Sequence, residues 1–229
     1  MDRILRGEPG WQDALGRALR DATRPIAADP RFAPRAAPSD AGLPRYDRAT
    51  FPPARAAATL LLVYPGTAGE LTIPLTVRRA DLRDHAGEIS LPGGSVEADD
   101  ASHEAAAVRE AEEEIGLDPA SVRIVGVLDD VWIPVSNFEL RPYVGTVAEE
   151  PILRPHVAEV AEIIALPLRQ LLRDDAVTDE LIEGPGWQLR AAVYRYNGHR
   201  IWGATARTLA MFAAVLTQAA DLQPDGDAA

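Results

Sequence analysis

The segment LPGGSVEADDASHEAAAVREAEEEIGL, residues 91–117, constrains this chain more than any other. A Pro-Gly-Gly turn leads through an acidic run into a helical pattern ending in Arg109, Glu110, Glu112, Glu113 and Glu114. Like charges this close destabilise an isolated helix, so the fold has to compensate for them. Gly116 stands where a left-handed C-terminal cap belongs. On a wheel of about 100° per residue, with Glu110 at zero, Glu114 falls near +40° and Glu113 near −60°. Glu112 falls near 200°, and Val108 and Ile115 near 150°. This spacing predicts a helix over residues 101–115 with an apolar side packed on a sheet and an acidic side turned away from it.

Glu110 and Glu114 are four residues apart, so their carboxylates can approach a common point and raise one another's pKa. A bound divalent ion removes both penalties. Oxygen-only ligands suit Mg²⁺ or Mn²⁺, and no thiolate or His-rich cluster suggests zinc. Arg109 is placed to pair with Glu113 and orient it. The alternative is an acidic face that is simply solvated.

Around this helix the chain divides into three parts. Residues 10–22 have apolar positions at helical spacing and predict a short helix. Residues 25–54 are rich in Pro, Ala and Arg, which disfavours regular helix and predicts an arm packing over the core. A lid over the substrate and a homodimer contact are the other roles open to that arm. From residue 55 the pattern changes. AAATLLLVYP and ELTIPLTVRR predict a hairpin; SVRIVGVLDDVWIP and FELRPYVGTVA predict two further strands. VAEVAEIIALPLRQLL predicts a strand running into a short helix. WQLRAAVYRYNGHRIW predicts a hairpin turning at Asn197-Gly198, and GATARTLAMFAAVLTQAADL an amphipathic helix. Residues 223–229 are expected to fray. The sum is an α/β protein, an α/β/α sandwich built on a mixed sheet.

The 229 residues carry a formal charge of −12, and 47% are hydrophobic. No dense basic patch offers itself to nucleic acid. An acidic protein can still take an anionic substrate through a divalent ion. The absence of cysteine excludes disulfides and thiol catalysis. No apolar run approaches membrane-spanning length and the N-terminus has no signal-peptide core, so a cytoplasmic location without membrane contact is expected.

Residues 109–117, Arg-Glu-Ala-Glu-Glu-Glu-Ile-Gly-Leu, resemble the second half of the Nudix box, G-x5-E-x7-R-E-U-x-E-E-x-G-U, where U is bulky and apolar. The first half departs by one residue: Gly94 and Asp100 stand one position earlier than the general box places its Gly and Glu. An extra loop residue with Asp in that slot is similar to the coenzyme A pyrophosphatase branch. So is LTVRRADLRDHAGEISLPGGSVEADD, with Leu82, Arg83, His85, Gly87, Pro92, Gly93, Gly94, Glu97 and Asp100 in register. Leu91 replaces the branch's Phe and Arg79 its Ser. IWGATARTL, near the C-terminus, is also similar. The resemblance covers roughly residues 55–216 and implies a hydrolase domain over 55–222.

The resemblance implies Mg²⁺- or Mn²⁺-dependent hydrolysis of a diphosphate in a nucleotide or coenzyme A-type substrate, giving 3′,5′-ADP and 4′-phosphopantetheine. It implies Glu110, Glu113 and Glu114 as metal ligands with the carbonyl of Gly94, and Glu110, Glu113 and Arg109 as the catalytic group. Arg78, Arg83 and His85 are substrate-binding candidates, although His85 could instead fix its loop and the arginines, Arg79 included, could be solvated. Glu159 and Glu162 are further candidates for a base or an extra ligand; on strand alternation they face opposite sides, so at most one points inward. Trp132 and Phe138 flank a loop, where stacking on a base competes with core packing. Trp202 and Thr205 are read as fixing the last helix. Other nucleoside diphosphate derivatives such as ADP-ribose, and a nucleotide-binding regulator without turnover, are the competing readings.

Overall fold

The structure is a computed structural model that describes residues 2–33, 35–36, 47–66, 69–81, 87–184 and 187–221. Two N-terminal helices, α1 (Asp2–Leu5) and α2 (Trp11–Asp21), precede the short strand β1 (Arg35–Ala36). Next come β2 (Arg55–Pro65), β3 (Leu71–Arg78), β4 (Ile89–Ser90), β5 (Gly93–Ser95) and helix α3 (His103–Ile115). Strands β6 (Arg123–Val127), β7 (Val131–Ile133), β8 (Phe138–Thr146) and β9 (Val160–Pro167) complete the main sheet. Strands β10 (Val177–Gly184), β11 (Trp187–Tyr196) and β12 (His199–Ile201) lead to helix α4 (Gly203–Asp221).

The main sheet is mixed. Its path runs β4-β3-β2-β8-β6, with β5 on β2, β7 on β8 and β9 on β3. β2 runs parallel to β8, whereas β5 pairs with β2 antiparallel and sets Gly94 opposite Ala58. β2 is an apolar run because both of its faces are covered. Ala58, Leu60 and Leu62 face one core cluster with Ala106, Ala107, Ala111 and Ile115 of α3. Leu61 and Val63 face the other, with Leu15 and Leu19 of α2 and Leu209, Phe212 and Leu216 of α4. The expected helix-sheet-helix layering follows. A second sheet, β1-β11-β10 with β12 on β11, is antiparallel throughout.

Several predicted elements differ in detail. The Pro-Gly-Gly segment is a strand, because Gly93–Ser95 pairs with a part of β2 distant in sequence. SVRIVGVLDDVWIP divides into β6 and β7 at Leu128–Asp130. There Asp129 accepts from Arg24 Nη1 and from the Ile26 N–H, both at 2.5 Å, and ties the start of the arm to the sheet. β10 has no counterpart in the predicted elements; its charged residues mask the strand pattern. The Asn197-Gly198 turn forms with both residues at positive φ (48° and 82°), as a tight hairpin requires. Ile26 and Phe32 of the arm are buried in the same cluster as α2 and α4, and Phe32 stacks on Tyr194 at 4.8 Å.

Candidate active site

Ser102 caps α3 by accepting the Ala105 N–H, and Gly116 ends it at φ 64°. The packed side of α3 is not centred on Val108 and Ile115 as the wheel predicted. It is made by Ala106, Ala107, Ala111, Glu114 and Ile115. The three alanines bring the helix close to β2 and β5, and Glu114, only 9% exposed, is carried into the interface. Glu112 and Glu113 are exposed.

Two adjacent glycines shape this site, Gly93 against the backbone of β2 and Gly94 against the carboxylate of Glu110. A Cβ on Gly93 would lie 2.5 Å from the Ala58 carbonyl oxygen and 2.7 Å from Thr59 Cα, so β5 can approach β2 only without one. A Cβ on Gly94 would lie 2.5 Å from Cδ and 2.7 Å from Oε2 of Glu110. The Gly93 N–H donates to Glu114 Oε2 at 3.2 Å. Both carboxylates therefore face the same Gly93-Gly94 segment. Burial pushes Glu114 up to about 7; the Gly93 N–H opposes this, while the charges of Glu110 and Glu159 add to it. Burial also raises Glu110, against the pull of Arg109.

Arg109 does not chiefly orient Glu113, as its spacing suggested. Its Nη1 reaches Glu113 only at 3.4 and 3.5 Å, whereas it donates to Glu110 Oε1 at 2.9 Å. Its other face holds Asp100 in a two-point pair at 3.0 and 3.1 Å, and Nη2 also donates to the Ser95 carbonyl. Asp100 is held below the usual carboxylate range by Arg109 and by the Glu97 N–H. The acidic run thus bends back to fix the guanidinium that fixes Glu110.

The distal carboxylates separate. Glu159 lies in the turn just before β9, so strand alternation does not govern it. Its charge is felt at both Glu110 and Glu114, and Arg78 stands 3.8 Å from it. The loop that leads to it is anchored on α3, where the Arg154 and His156 N–H groups donate to the carbonyls of Ile115 and Glu114. Glu162 instead faces His199 at 3.8 Å. No local sequence signal marks this anchoring, because its donors are backbone groups.

Other candidates are placed elsewhere or lie outside the described residues. Arg83 and His85 are in the latter group. Arg79 is occupied by Asp81 and the Val157 carbonyl. Trp132 meets Phe51 of the arm edge-on at 5.1 Å and donates to Asn137; Arg48 stands over its ring. Arg55 covers the Phe138 ring at 4.0 Å. Trp202 packs against the cluster of Ile182, Ala191 and Val193, and Thr205 lies in the first turn of α4.

Among the described residues, no group of three or more His, Cys, Asp or Glu side chains is gathered closely enough to hold a metal ion. Two features nonetheless fit a divalent cation beside Gly93-Gly94. Glu110 and Glu114 are both desolvated, and the Gly93 N–H reaches Glu114 only at 3.2 Å. Oxygen donors of this kind suit a hard cation.

The NUDIX domain profile matches residues 54–183, more than half of the chain. Two Arabidopsis thaliana proteins, Nudix hydrolase 22 (chloroplastic) and Nudix hydrolase 15 (mitochondrial), are 36% and 37% identical to it over 71% and 72% of its length. The chain spans 55% and 59% of those two proteins' own lengths. An uncharacterised Nudix hydrolase of Escherichia coli K12, NudL, is 35% identical over 71% of this chain and 83% of its own. With the two carboxylates of α3 seated on Gly93-Gly94, and the profile covering the strands and helix that place them, this chain belongs to the Nudix family.

Proposed function

We propose that the protein is a Mg²⁺- or Mn²⁺-dependent diphosphatase that cleaves coenzyme A or its derivatives to 3′,5′-ADP and 4′-phosphopantetheine or its acyl form. Residues 55–222 form the hydrolase domain in this reading, with the N-terminal helices and arm packed on it. The observation that carries it is the seating of Glu110 and Glu114, both desolvated, against one glycine strand. Family membership supports hydrolysis at a phosphorus anhydride. The assignment to coenzyme A rests on the segment from Leu75 to Asp100 and on the extra residue of its acidic loop.

Glu110, Glu114 and the Gly94 carbonyl would hold the metal, with Glu113 as a further ligand from the exposed edge. When bound, a divalent ion neutralises diphosphate charge and lowers the pKa of a coordinated water. The protein's own residues do the positioning. Arg109, held by Asp100, fixes Glu110 and offsets its charge. Arg78 sits beside Glu159 at the edge of the acidic group, where a guanidinium can meet a phosphate. Glu159 adds negative potential at Glu110 and Glu114 and would take a proton in this reading. Arg83 and His85 complete the proposed phosphate contacts.

A substrate panel tests the assignment. Purified protein with Mn²⁺ is incubated separately with coenzyme A, acetyl-coenzyme A, ADP-ribose and a dinucleoside polyphosphate. The highest kcat/KM is expected for the coenzyme A compounds. A higher value for ADP-ribose rejects the branch while leaving the chemistry in place. Turnover of none of the four rejects the enzyme.

A further inference from the structure

On the face of the main sheet opposite α3, helix α2 rides on β6 and leaves a cleft of about 250 Å³. Its lining is unusual for a chain of net charge −12. Arg17 and Arg20 enter from α2 and Arg123 from β6, against the single acid Asp13. Three guanidinium groups less one carboxylate leave a surplus of two positive charges. Asp13 is already paired with Arg123 at 2.7 Å. Arg17 and Arg20 have no side-chain hydrogen bond or ion pair among the described residues.

The backbone shapes the same cleft. α2 sits close because Gly16 and Gly126 lack side chains; a Cβ on Gly126 would lie 2.8 Å from Leu19 Cβ. β6 has a register shift against β8 between Ile124 and Gly126, so Val125 falls in a bulge. Such a bulge takes a residue out of the regular ladder. The Val125 carbonyl oxygen and Arg20 Nη1 both lie 3.4 Å from where a Gly16 Cβ would stand. A cation and a hydrogen-bond acceptor thus meet over one bare patch of helix.

We propose that this cleft binds a small phosphomonoester that carries a hydroxyl group, with Arg17, Arg20 and Arg123 on the phosphate and the Val125 carbonyl accepting from the hydroxyl. A phosphomonoester carries a charge of about −1.5 to −2 near neutral pH, which matches the surplus of the lining. Guanidinium groups bind such oxyanions through paired N–H donors. The Val125 carbonyl oxygen would repel a second anionic group, so the site favours one phosphate beside a hydroxyl over a diphosphate. The inference does not depend on the proposed function, since the cleft shares no residue with Glu110, Glu114 or their supports.

The test is a titration of glycerol 3-phosphate into the metal-free protein, followed by backbone amide shifts. Saturable shifts are expected at Gly16, Val125 and Gly126. In the double variant Arg17→Ala/Arg20→Ala the dissociation constant should rise at least tenfold at an unchanged melting temperature. Inorganic phosphate should bind more weakly, as it lacks the carbon-borne hydroxyl. Equal shifts in the double variant, or shifts reproduced by chloride at the same ionic strength, overturn the site. Equal affinity for inorganic phosphate overturns its assignment to an ester.

Discussion

The Glu110 carboxylate occupies the volume that a side chain on Gly94 would need, with its Cδ 2.5 Å and its Oε2 2.7 Å from an ideal Cβ there. The neighbouring Gly93 is constrained by backbone, whereas Gly94 is constrained by the far end of a side chain. The two positions should therefore respond differently to the same methyl group. Gly94→Ala should keep the fold and displace the carboxylate, lowering kcat about 100-fold, the scale of a misplaced reacting group. Gly93→Ala should instead part β5 from β2 at a cost of about 1–3 kcal/mol. Urea unfolding measured beside steady-state kinetics separates the two effects.

Asp100 acts on the site through Arg109. Asp100→Asn removes the charge of the two-point pair and leaves Arg109 free to turn toward Glu113. A loss of about 10- to 100-fold in kcat is expected, as for other groups that orient a metal ligand, with KM little changed. Asp100→Glu should recover part of the rate. Equal losses in kcat for both variants would show that Arg109 is not held through this carboxylate.

Burial gives Glu114 a pH signature in the metal-free protein. Its folded pKa, about 7, lies above the unfolded value of 4.5. Between those values the folded state binds more protons, so stability is highest below pH 4.5 and falls as pH rises through 7. The full difference is about 3 kcal/mol at one pKa unit per 1.36 kcal/mol. Glu114→Gln should flatten this slope. Added Mn²⁺ should stabilise the wild-type protein more at pH 8 than at pH 5. Melting curves from pH 5 to 8 give both answers, and a wild-type slope that persists in Glu114→Gln would assign it to another group.

The arm grips the β7–β8 hairpin through the edge-on contact of Phe51 with Trp132. Phe51→Ala should lower stability by about 1 kcal/mol and expose Trp132, read as a red shift of its fluorescence. An unchanged spectrum would place the arm elsewhere in solution.

Much of this arrangement was legible in the sequence. The helix with its Gly116 cap, the Asn197-Gly198 hairpin and the apolar run of β2 all follow from local patterns. The depth of Glu114 did not, because the wheel was centred on the bulky Val108 and Ile115. The small Ala106, Ala107 and Ala111 decide how closely the helix approaches, and a carboxylate between them is carried inward. The strand nature of Gly93–Ser95 was hidden because its partner lies in β2, more than thirty residues earlier. The hold of Asp100 on Arg109 spans a loop, and the anchoring of Glu159 uses backbone donors that any sequence could supply.

Chromatography of the products formed from coenzyme A, with wild-type protein and Glu114→Gln compared in the presence and absence of Mn²⁺, tests the central claim most directly. The wild-type protein with Mn²⁺ should yield equal amounts of 3′,5′-ADP and 4′-phosphopantetheine, and neither the variant nor the metal-free protein should. Intact coenzyme A in the wild-type reaction, or undiminished cleavage by Glu114→Gln, would contradict it.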